Sequence, residues 1–248
     1  MFDLVDIHCH ALSCVDDGAG DEETMKSMLD TAYSDGIRAI CFTPHFKIFE
    51  FDSDEDIEQY NHLVSSSYNL ACSYIKEKYP DMALYLGNEI MYHDEILNSL
   101  NSKSCKSLNG SSYILVEFQP TVTTFDIENA VIRILRKGYI PIIAHIERYS
   151  ALLKKPELIY ELRSMGALMQ INARGILKFK FGRMARFIKD VLRKKQVDIV
   201  ASDAHDNSIF APNLSKAMLY VSKHYGEKYA EKIFSKVPYA VLSNKKNH

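Results

Sequence analysis

The chain has 248 residues, of which 47% are hydrophobic and 25% are charged, and its formal net charge is -2. This composition is typical of a soluble globular protein, and the small net charge argues against a nucleic-acid or membrane partner. Five cysteines without a Cys-x-x-Cys pair do not form a disulfide framework, which favours a reducing compartment. Because the chain has neither a signal-peptide pattern nor a run of ~20 apolar residues, we expect a cytoplasmic protein.

Seven short apolar runs alternate with amphipathic segments along the chain. The runs are LVDIH (4–8), IRAICFTPH (37–45), MALYLGNE (82–89), YILVEF (113–118), YIPIIAH (139–145), ALMQIN (167–172) and VDIVASDAH (197–205). Nearly continuous apolar runs are typical of strands buried on both faces of a parallel sheet. We therefore expect seven β-then-α units in one domain over 1–248, as either a parallel barrel or a doubly wound sheet.

Helical periodicity predicts helices between these runs. One lies within 21–36, with acidic residues in its first turn and Gly36 at its end, and a longer one covers roughly 54–78. A third lies within 126–138, and a fourth begins at Pro156. We expect 101–112 to be a polar loop and 243–248 to be frayed.

Every apolar run ends in a side chain that can bind a metal ion or form hydrogen bonds. In a closed barrel the C-terminal ends of all strands meet on one face, where the active sites of such enzymes lie. Imidazoles and carboxylates that converge there would repel each other or stay unpaired without cations, so the pattern predicts a metal cluster. Such mixed ligands suit Zn, Mn or Fe better than Ca or Mg. The residues are His8, His10, His45, Glu89, Glu117, His145, Asn172, Asp203 and His205.

The stretch VDIHCH raises the alternative that Cys9 is a catalytic nucleophile. Cysteine-dependent phosphatases need an arginine six positions after the cysteine to help bind the phosphate. Val15 stands there after Cys9, and none of the other four cysteines is followed by arginine at that spacing. Residues two apart on a strand point the same way, so His8 and His10 can bind one ion together. We therefore interpret Cys9 as a structural residue.

Seven motifs occur in one order over about 200 residues of the chain: DIHCHALSCVDDGAGDEE, ICFTPHF, LGNEI, ILVEF, PIIAHIERY, QINARGIL and IVASDAH. With them the chain resembles the polymerase-and-histidinol-phosphatase (PHP) superfamily and, within it, the capsule-associated tyrosine phosphatases of the CpsB/YwqE type. The resemblance implies a distorted, TIM-barrel-like (β/α)7 barrel with its metal site at the C-terminal ends of the strands. It also implies three divalent metal ions, with Mn expected first and Fe or Zn as alternatives.

The resemblance further implies which residues hold these ions. The first ion would take His8, His10, Glu89 and Asp203, the second Asp17, His45 and His205, and the third Glu117 and His145 with Glu89 as a bridge. Asp16 is either an ordinary turn residue or a further member of the cluster. Arg148, three residues after His145, matches the phosphate-binding arginine of the family.

The implied activity is hydrolysis of phosphotyrosine in proteins by a metal-activated hydroxide. The implied substrate is an autophosphorylated bacterial tyrosine kinase that controls capsule or exopolysaccharide synthesis. Arg148 would neutralise charge on the phosphoryl group, and Asp203 or His205 would act as any general acid. The alternatives are a PHP phosphatase for a small monoester such as histidinol phosphate, and a metal-stabilised binding module. An amidohydrolase also has an HxH strand, but it would need eight strands and a bridging lysine.

Two further groups of residues have two readings each. The basic residues after the sixth run either line the mouth of the site and attract an acidic phosphopeptide or belong to a solvated loop. Aromatic residues near the predicted ligands either pack on a substrate tyrosyl ring or form local core. The basic residues are Arg174, Lys178, Lys180 and Arg183, and the aromatic ones are Phe46, Phe49, Phe51 and Tyr149.

Overall fold

The structure, a computed structural model, describes residues 2–102, 104–178 and 181–244. All strand pairs within these ranges are parallel. The strands are β1 Leu4–Cys9, β2 Ile37–Phe42, β3 His45–Phe46, β4 Ala83–Leu86, β5 Glu89–Met91, β6 Tyr113–Glu117, β7 Ile140–Ile143, β8 Leu168–Asn172 and β9 Ile199–Ala201.

Helices follow most of the strands and, apart from the last helix, cover the outside of the sheet. They are α1 Glu22–Ser34, α2 Asp54–Lys78, α3 Ile96–Asn101, α4 Thr124–Arg136, α5 Ser150–Lys154, α6 Leu158–Met165, α7 Ala173–Lys178, α8 Gly182–Arg193, α9 Ser215–Tyr225, α10 Glu227–Glu231 and α11 Val237–Ser243. Short 3₁₀ turns lie at Ile48–Glu50, Leu108–Gly110 and Ile146–Arg148, and a π-helical turn at Lys232–Lys236 joins α10 to α11. No helix of the described ranges is both long and apolar enough to cross a lipid bilayer.

The strands form a closed ring of seven positions. One sheet has the order β1-β2-β4 and the other β3-β5-β6-β7-β8-β9, with β3 continuing the run of β2 and β5 that of β4. The chain returns to β1 after β9, where Asp203 N donates to His8 O at 2.9 Å and His10 N donates to Ala204 O at 2.8 Å. The fold is therefore the distorted (β/α)7 barrel that the resemblance implied, and the doubly wound alternative is wrong.

Two of the seven predicted runs are each divided into two strands. The first divides at Thr43–Pro44, since Pro44 has no N–H to donate to a strand ladder. The second divides at Gly87–Asn88, where a Cβ on Gly87 would lie 2.7 Å from Leu108 Cδ2. The C-terminal pieces β3 and β5 are displaced into the second sheet, and each carries a predicted ligand.

All four predicted helices are present, but α4 begins two residues before the predicted range and α6 begins at Leu158, two residues after Pro156. Asp21 accepts a hydrogen bond from Thr24 N at 2.7 Å and caps α1, Ser53 caps α2, and Thr123 caps α4. The expected loop 101–112 contains the last residue of α3 and a 3₁₀ turn, and it buries Cys105 and Leu108. The frayed end expected at 243–248 begins at the last residue of α11, and 245–248 lie outside the described residues.

An apolar cluster fills the interior of the barrel. Strand residues such as Ile7, Leu115, Ile142 and Ile199 pack there with Val241 and Leu242 of α11. A larger cluster joins the outer faces of the strands to the surrounding helices. Because the interior is packed with side chains, the polar residues at the strand ends are supported from below by a rigid base.

Candidate metal centre

The nine predicted metal ligands lie together at the C-terminal ends of the strands. They sit in β1, β3, β5 and β6 or in the segments that follow β1, β7 and β9: His8, His10, Asp17, His45, Glu89, Glu117, His145, Asp203 and His205. Eight of them, all except His145, form three overlapping groups, and within each group the imidazole nitrogens and carboxylate oxygens lie within 4.8 Å of one another.

The deepest group consists of two imidazoles and two carboxylates that are almost completely buried: His8, His10, Glu89 and Asp203. His8 Nε2 lies 3.2 Å from both Glu89 Oε2 and Asp203 Oδ1. His10 Nε2 lies 3.1 Å from His8 Nε2 and 3.3 Å from Glu89 Oε2. This group has the membership predicted for the first ion.

An outer group lies nearer to solvent and consists of His10, Asp17, His45 and His205. Asp17 Oδ1 is 3.4 Å from both His45 Nε2 and His205 Nε2, and the Asp17 side chain is 71% exposed. The group contains the three residues predicted for the second ion together with His10. His10 therefore joins the outer group to the deep one.

A third group comprises His45, Glu89 and Glu117. His145, which the resemblance assigned to this ion, contacts the same carboxylates: its Nε2 is 2.9 Å from Glu89 Oε1 and 3.8 Å from Glu117 Oε2. Glu89 belongs to the deep group as well, so its two oxygens connect the two groups.

Two buried side-chain atoms indicate that the residues of the centre fit a metal ion. His45 Nδ1 and Glu117 Oε1 lie 3.1 Å apart, yet neither has a hydrogen-bond partner in the described part of the chain. Buried polar atoms without partners cost free energy. A divalent ion with imidazole and carboxylate ligands would satisfy both atoms, so the residues present fit a metal.

The carboxylates draw positive charge to the centre. Burial disfavours a charged His8, but Glu89 and Asp203 outweigh it and raise its pKa. Burial would also lower the pKa of His45, but the neighbouring carboxylates of Glu117 and Glu89 outweigh burial and raise it to about 10. Burial would raise the pKa of Glu89, but the surrounding histidines, His8 first, hold it well below its usual value. Protons or metal ions can supply this positive charge.

Asp16 and Gln170 orient the histidine rings from behind. Asp16 Oδ2 is 2.7 Å from His10 Nδ1 and accepts from His45 N at 3.1 Å, while Gly18 N donates to Asp16 Oδ1. Asp16 is therefore both a turn residue and a support of the cluster. Gln170 Oε1 lies 3.2 Å from His8 Nδ1 and accepts from His145 N at 2.8 Å. Sequence reasoning missed Gln170, although it is the polar residue inside the apolar run ALMQIN.

Tyr149 and Asn172 also support ligands. Tyr149 is buried, and its hydroxyl lies 3.3 Å from His145 Nδ1 and accepts from Phe118 N at 3.0 Å. It therefore holds His145 and cannot pack on a substrate ring. Asn172 Nδ2 donates to Asp203 Oδ2 at 2.7 Å, and the Arg148 guanidinium donates to the same oxygen.

An open cleft of about 670 Å³ lies over the centre. Its walls carry ligands of all three groups, including Asp203 of the deep group, together with Arg148, Lys47 and Phe210. The Arg148 side chain is 45% exposed in this cleft. Phe210 was not identified from the sequence, because its place beside the cleft depends on the loop after β9.

The other aromatic residues singled out in the sequence lie elsewhere. Phe46 is fully buried and packs on Phe51 and Tyr60, with ring centroids 5.3 and 5.9 Å away. Phe49 is exposed and lies near His93. Of the two readings, local core is correct for Phe46 and Phe51.

The described basic residues after β8 lie in helices and not in a loop, although Lys178 and Arg183 are exposed to solvent. Arg174 and Lys178 belong to α7 and line a smaller groove beside the cleft. Arg183 lies exposed on α8. Lys180 lies outside the described residues.

Comparison with known proteins shows relatives along the whole chain. Tyrosine-protein phosphatase CpsB of Streptococcus pneumoniae is 32% identical over 244 residues, which cover 96% of this chain and 98% of the relative. Tyrosine-protein phosphatase YwqE of Bacillus subtilis (strain 168) is 32% identical over 247 residues, covering 97% and 89% of the two chains.

The fold has close structural relatives too. A structure described as "Crystal structures of YwqE from Bacillus subtilis and CpsB from Streptococcus pneumoniae, unique metal-dependent tyrosine phosphatases" matches with a TM-score of 0.85, 28% identity, and coverage of 99% of this chain and 96% of the other. A β-aspartyl dipeptidase from Fervidobacterium islandicum shares the fold alone, with a TM-score of 0.58, 15% identity, and coverage of 96% and 72%. A family model described as capsular polysaccharide synthesis, CpsB/CapC, matches residues 4–243. The chain therefore belongs to the CpsB/CapC family of capsular polysaccharide synthesis proteins.

Proposed function

We propose that this protein is a metal-dependent phosphatase that hydrolyses phosphotyrosine in proteins. The observation that carries the proposal is the set of three overlapping imidazole–carboxylate groups at the base of an open cleft, beside the Arg148 guanidinium. The relatives of similar length are named tyrosine-protein phosphatases, which supports the same activity here.

Mixed imidazole and carboxylate ligands suit Mn, Fe or Zn, and the resemblance to the family favours three divalent ions with Mn as the first choice. His8, His10, Glu89 and Asp203 would hold one ion, Asp17, His45 and His205 a second, and Glu117 and His145 a third that Glu89 bridges to the first. Bound there, the ions would supply positive charge to the phosphoryl oxygens and lower the pKa of a water molecule.

Arg148 would bind the phosphoryl group and stabilise the charge that grows on it. Its planar guanidinium has five N–H donors. A bond to Asp203 holds the group in place at the wall of the cleft and leaves other donors for phosphate oxygens. A donor held in position before the reaction stabilises a transition state without the cost of reorganisation.

Asp203 and His205 are the two candidates for a proton donor to the leaving group, and either would act only where an ion leaves its side chain free. Asp203 is buried, and its carboxylate already accepts from Asn172 and Arg148. Both residues line the cleft, and His205 Nδ1 is 3.0 Å from Asp203 O. A tyrosyl leaving group, with a pKa of about 10, needs less protonation than an aliphatic alkoxide.

The exposed position of Asp17 favours a protein substrate, because the outer group lies where a phosphotyrosine on a protein surface can reach it. The proposed partner is an autophosphorylated bacterial tyrosine kinase that controls capsule or exopolysaccharide synthesis. The described cysteines Cys9, Cys14, Cys41, Cys72 and Cys105 are all free thiols, which supports a cytoplasmic location. Because the ligands extend from His8 to His205, the chain would act as one catalytic domain.

The test is hydrolysis of a phosphotyrosine peptide by the purified protein, stripped of metal and then resupplied with Mn, Zn or Fe. We expect activity to disappear on stripping, to return with about three ions per chain, and to resist thiol alkylation. Cys9 is fully buried, and burial raises the pKa of its thiol well above the usual value, so it should not react.

Two variants separate the proposed roles. Arg148→Ala should keep its metal content and lose about 10²–10³-fold in kcat/KM. His145→Ala should lose metal as well. Turnover of histidinol phosphate without turnover of the peptide would favour a small-molecule phosphatase. Bound metal without turnover of either substrate would favour a binding module. Failure to bind metal would contradict the whole proposal.

A further inference from the structure

A smaller groove of about 200 Å³ adjoins the metal cleft, and Phe210 lines both. Its other lining residues include Arg174, Lys178, Ile209 and Asn213. We propose that this groove is a subsite for a carboxylate side chain of the substrate protein, within two residues of the phosphotyrosine, and that Arg174 selects it. This inference rests on the proposed phosphatase function and adds a sequence preference to it.

Arg174 is held in place without an acidic partner. It follows β8 almost directly, in the first turn of α7, and its guanidinium carbon lies 4.0 Å from the centroid of the Phe210 ring. Within residues 2–102, 104–178 and 181–244, no carboxylate forms an ion pair with it, whereas Arg148 in the cleft is paired with Asp203. Stacking on an aromatic ring orients a guanidinium and leaves its N–H donors available to an acidic group.

Phe210 fixes the distance between Arg174 and the metal centre. Phe210 N donates to Asp206 Oδ1 at 2.9 Å, and Phe210 O accepts from His205 N at 3.0 Å, so the loop 205–210 is closed by its own hydrogen bonds. The Phe210 ring also meets the His205 ring edge-on, with centroids 6.2 Å apart. A single aromatic ring therefore separates the cation of Arg174 from a predicted metal ligand.

This arrangement matches the dimensions of a phosphopeptide. With its phosphate at the metal centre, the tyrosyl ring of a substrate passes along Phe210 on its way out of the cleft. An extended chain advances about 3.3–3.6 Å per residue, so a side chain one or two residues away lies over the groove. A carboxylate there can accept two hydrogen bonds from the guanidinium. Lys178 lies four residues after Arg174 on the same face of α7 and adds positive charge.

The experiment compares two phosphotyrosine peptides that differ only at the two residues on each side of the phosphotyrosine, with Asp in one and Asn in the other. For the wild-type holoenzyme we expect kcat/KM to be about tenfold higher on the Asp peptide, mainly through a lower KM, and this preference to weaken as salt is added. Arg174→Gln should bring the ratio close to one. Arg174→Lys should give an intermediate ratio, because it keeps the charge and loses the planar fork.

Arg186→Gln is the matched control, because Arg186 is exposed on α8 and does not line the groove. It should keep the wild-type ratio. Turnover of p-nitrophenyl phosphate, which has no neighbouring residues, reports whether each variant has an intact metal centre.

Three outcomes would overturn the inference. If Arg174→Gln lowers turnover of p-nitrophenyl phosphate and of both peptides by the same factor, Arg174 only supports the loop 205–210. If the wild-type protein hydrolyses both peptides equally well, the subsite is refuted and the phosphatase function stands. If it hydrolyses neither peptide with metal bound, the proposed function fails and the subsite fails with it.

Discussion

Three histidines of the centre are each oriented by a residue that lies behind the ring. Asp16 contacts Nδ1 of His10, Gln170 contacts Nδ1 of His8, and the Tyr149 hydroxyl contacts Nδ1 of His145. In all three the Nε2 atom is left facing the carboxylates of the centre. A partner on one ring nitrogen fixes both the orientation and the tautomer of the other, which pre-organises the ring for a metal.

Gln170 provides the sharpest test at this scale, because its single carbonyl oxygen contacts both His8 and the backbone of His145. Gln170→Leu keeps the approximate size and removes both contacts. We expect about 10–100-fold weaker metal binding or activity, measured by metal titration and by phosphotyrosine turnover.

Gln196→Leu is the control, since Gln196 precedes β9 at the opposite end of the barrel and its Oε1 has no hydrogen-bond partner among the described residues. It should bind metal like the wild-type protein. If both variants keep wild-type metal affinity, Gln170 does not orient the ligands.

Ligand types could be predicted from the sequence, because they recur at the ends of apolar runs. The supporting residues could not, since their roles depend on contacts between distant segments. Gln170 contacts His8, which lies 162 positions away in the sequence. The Tyr149 hydroxyl contacts His145, whereas the sequence alone also allowed Tyr149 to pack on a substrate ring. The assignment of His45 or His145 to the third group likewise depends on side-chain positions that no spacing rule supplies.

At the scale of elements, the segment between β1 and α1 folds back tightly on the strand that precedes it. Ala19 N donates to His10 O at 3.1 Å, and Cys14 N donates to Ala19 O at 2.8 Å. This turn presents Asp16 and Asp17 to the centre. It requires glycine at position 18, where a Cβ would lie 1.8 Å from His10 O.

Gly18→Ala should therefore displace the turn together with Asp17. We expect a loss of about 1–3 kcal/mol in the free energy of unfolding and a reduced metal content, measured by denaturant titration and metal analysis. Gly20→Ala is a control within the same segment, because a Cβ there meets nothing within 4 Å, and it should change stability by less than about 0.5 kcal/mol. Wild-type metal content and stability in Gly18→Ala would contradict this account of the turn.

Local chemistry decides which elements the sequence reveals. The helices α1, α2 and α4 begin at side-chain caps and have regular apolar spacing, so they were predictable. The division at Gly87 depends on Leu108, about twenty residues later, and leaves no local mark. The helix α7 starts directly after Asn172, without a linker that would mark its beginning in the sequence. Its basic residues could therefore be interpreted as part of a loop.

At the scale of the whole molecule, the centre concentrates the carboxylates of Asp17, Glu89, Glu117 and Asp203 and five imidazoles above an apolar interior. A ligand that binds only the folded state stabilises it by mass action. We expect Mn at about 100 times its dissociation constant to add about 2.7 kcal/mol, which for a chain of this size raises Tm by about 5–10 °C.

Scanning calorimetry with Mn and with a chelator measures this shift. His205→Ala, which removes one ligand of the outer group, should show a smaller shift than the wild-type protein. A wild-type Tm that is the same under both conditions would show that metal binding does not contribute to stability.

The contact between β1 and the segment after β9 also determines when the set of predicted ligands can be completed during synthesis. The buried Asp6 carboxylate of β1 accepts hydrogen bonds from the Ser202 backbone, at 3.0 Å, and from the Ser202 hydroxyl. Chains emerge from the ribosome N-terminus first, so Asp6, His8 and His10 lack their partners from the segment after β9 until residues 202–205 have been added. Such long-range pairing closes slowly. A nascent or truncated chain that stops before His205 therefore carries an incomplete set of predicted ligands, and the proposed activity requires synthesis through His205.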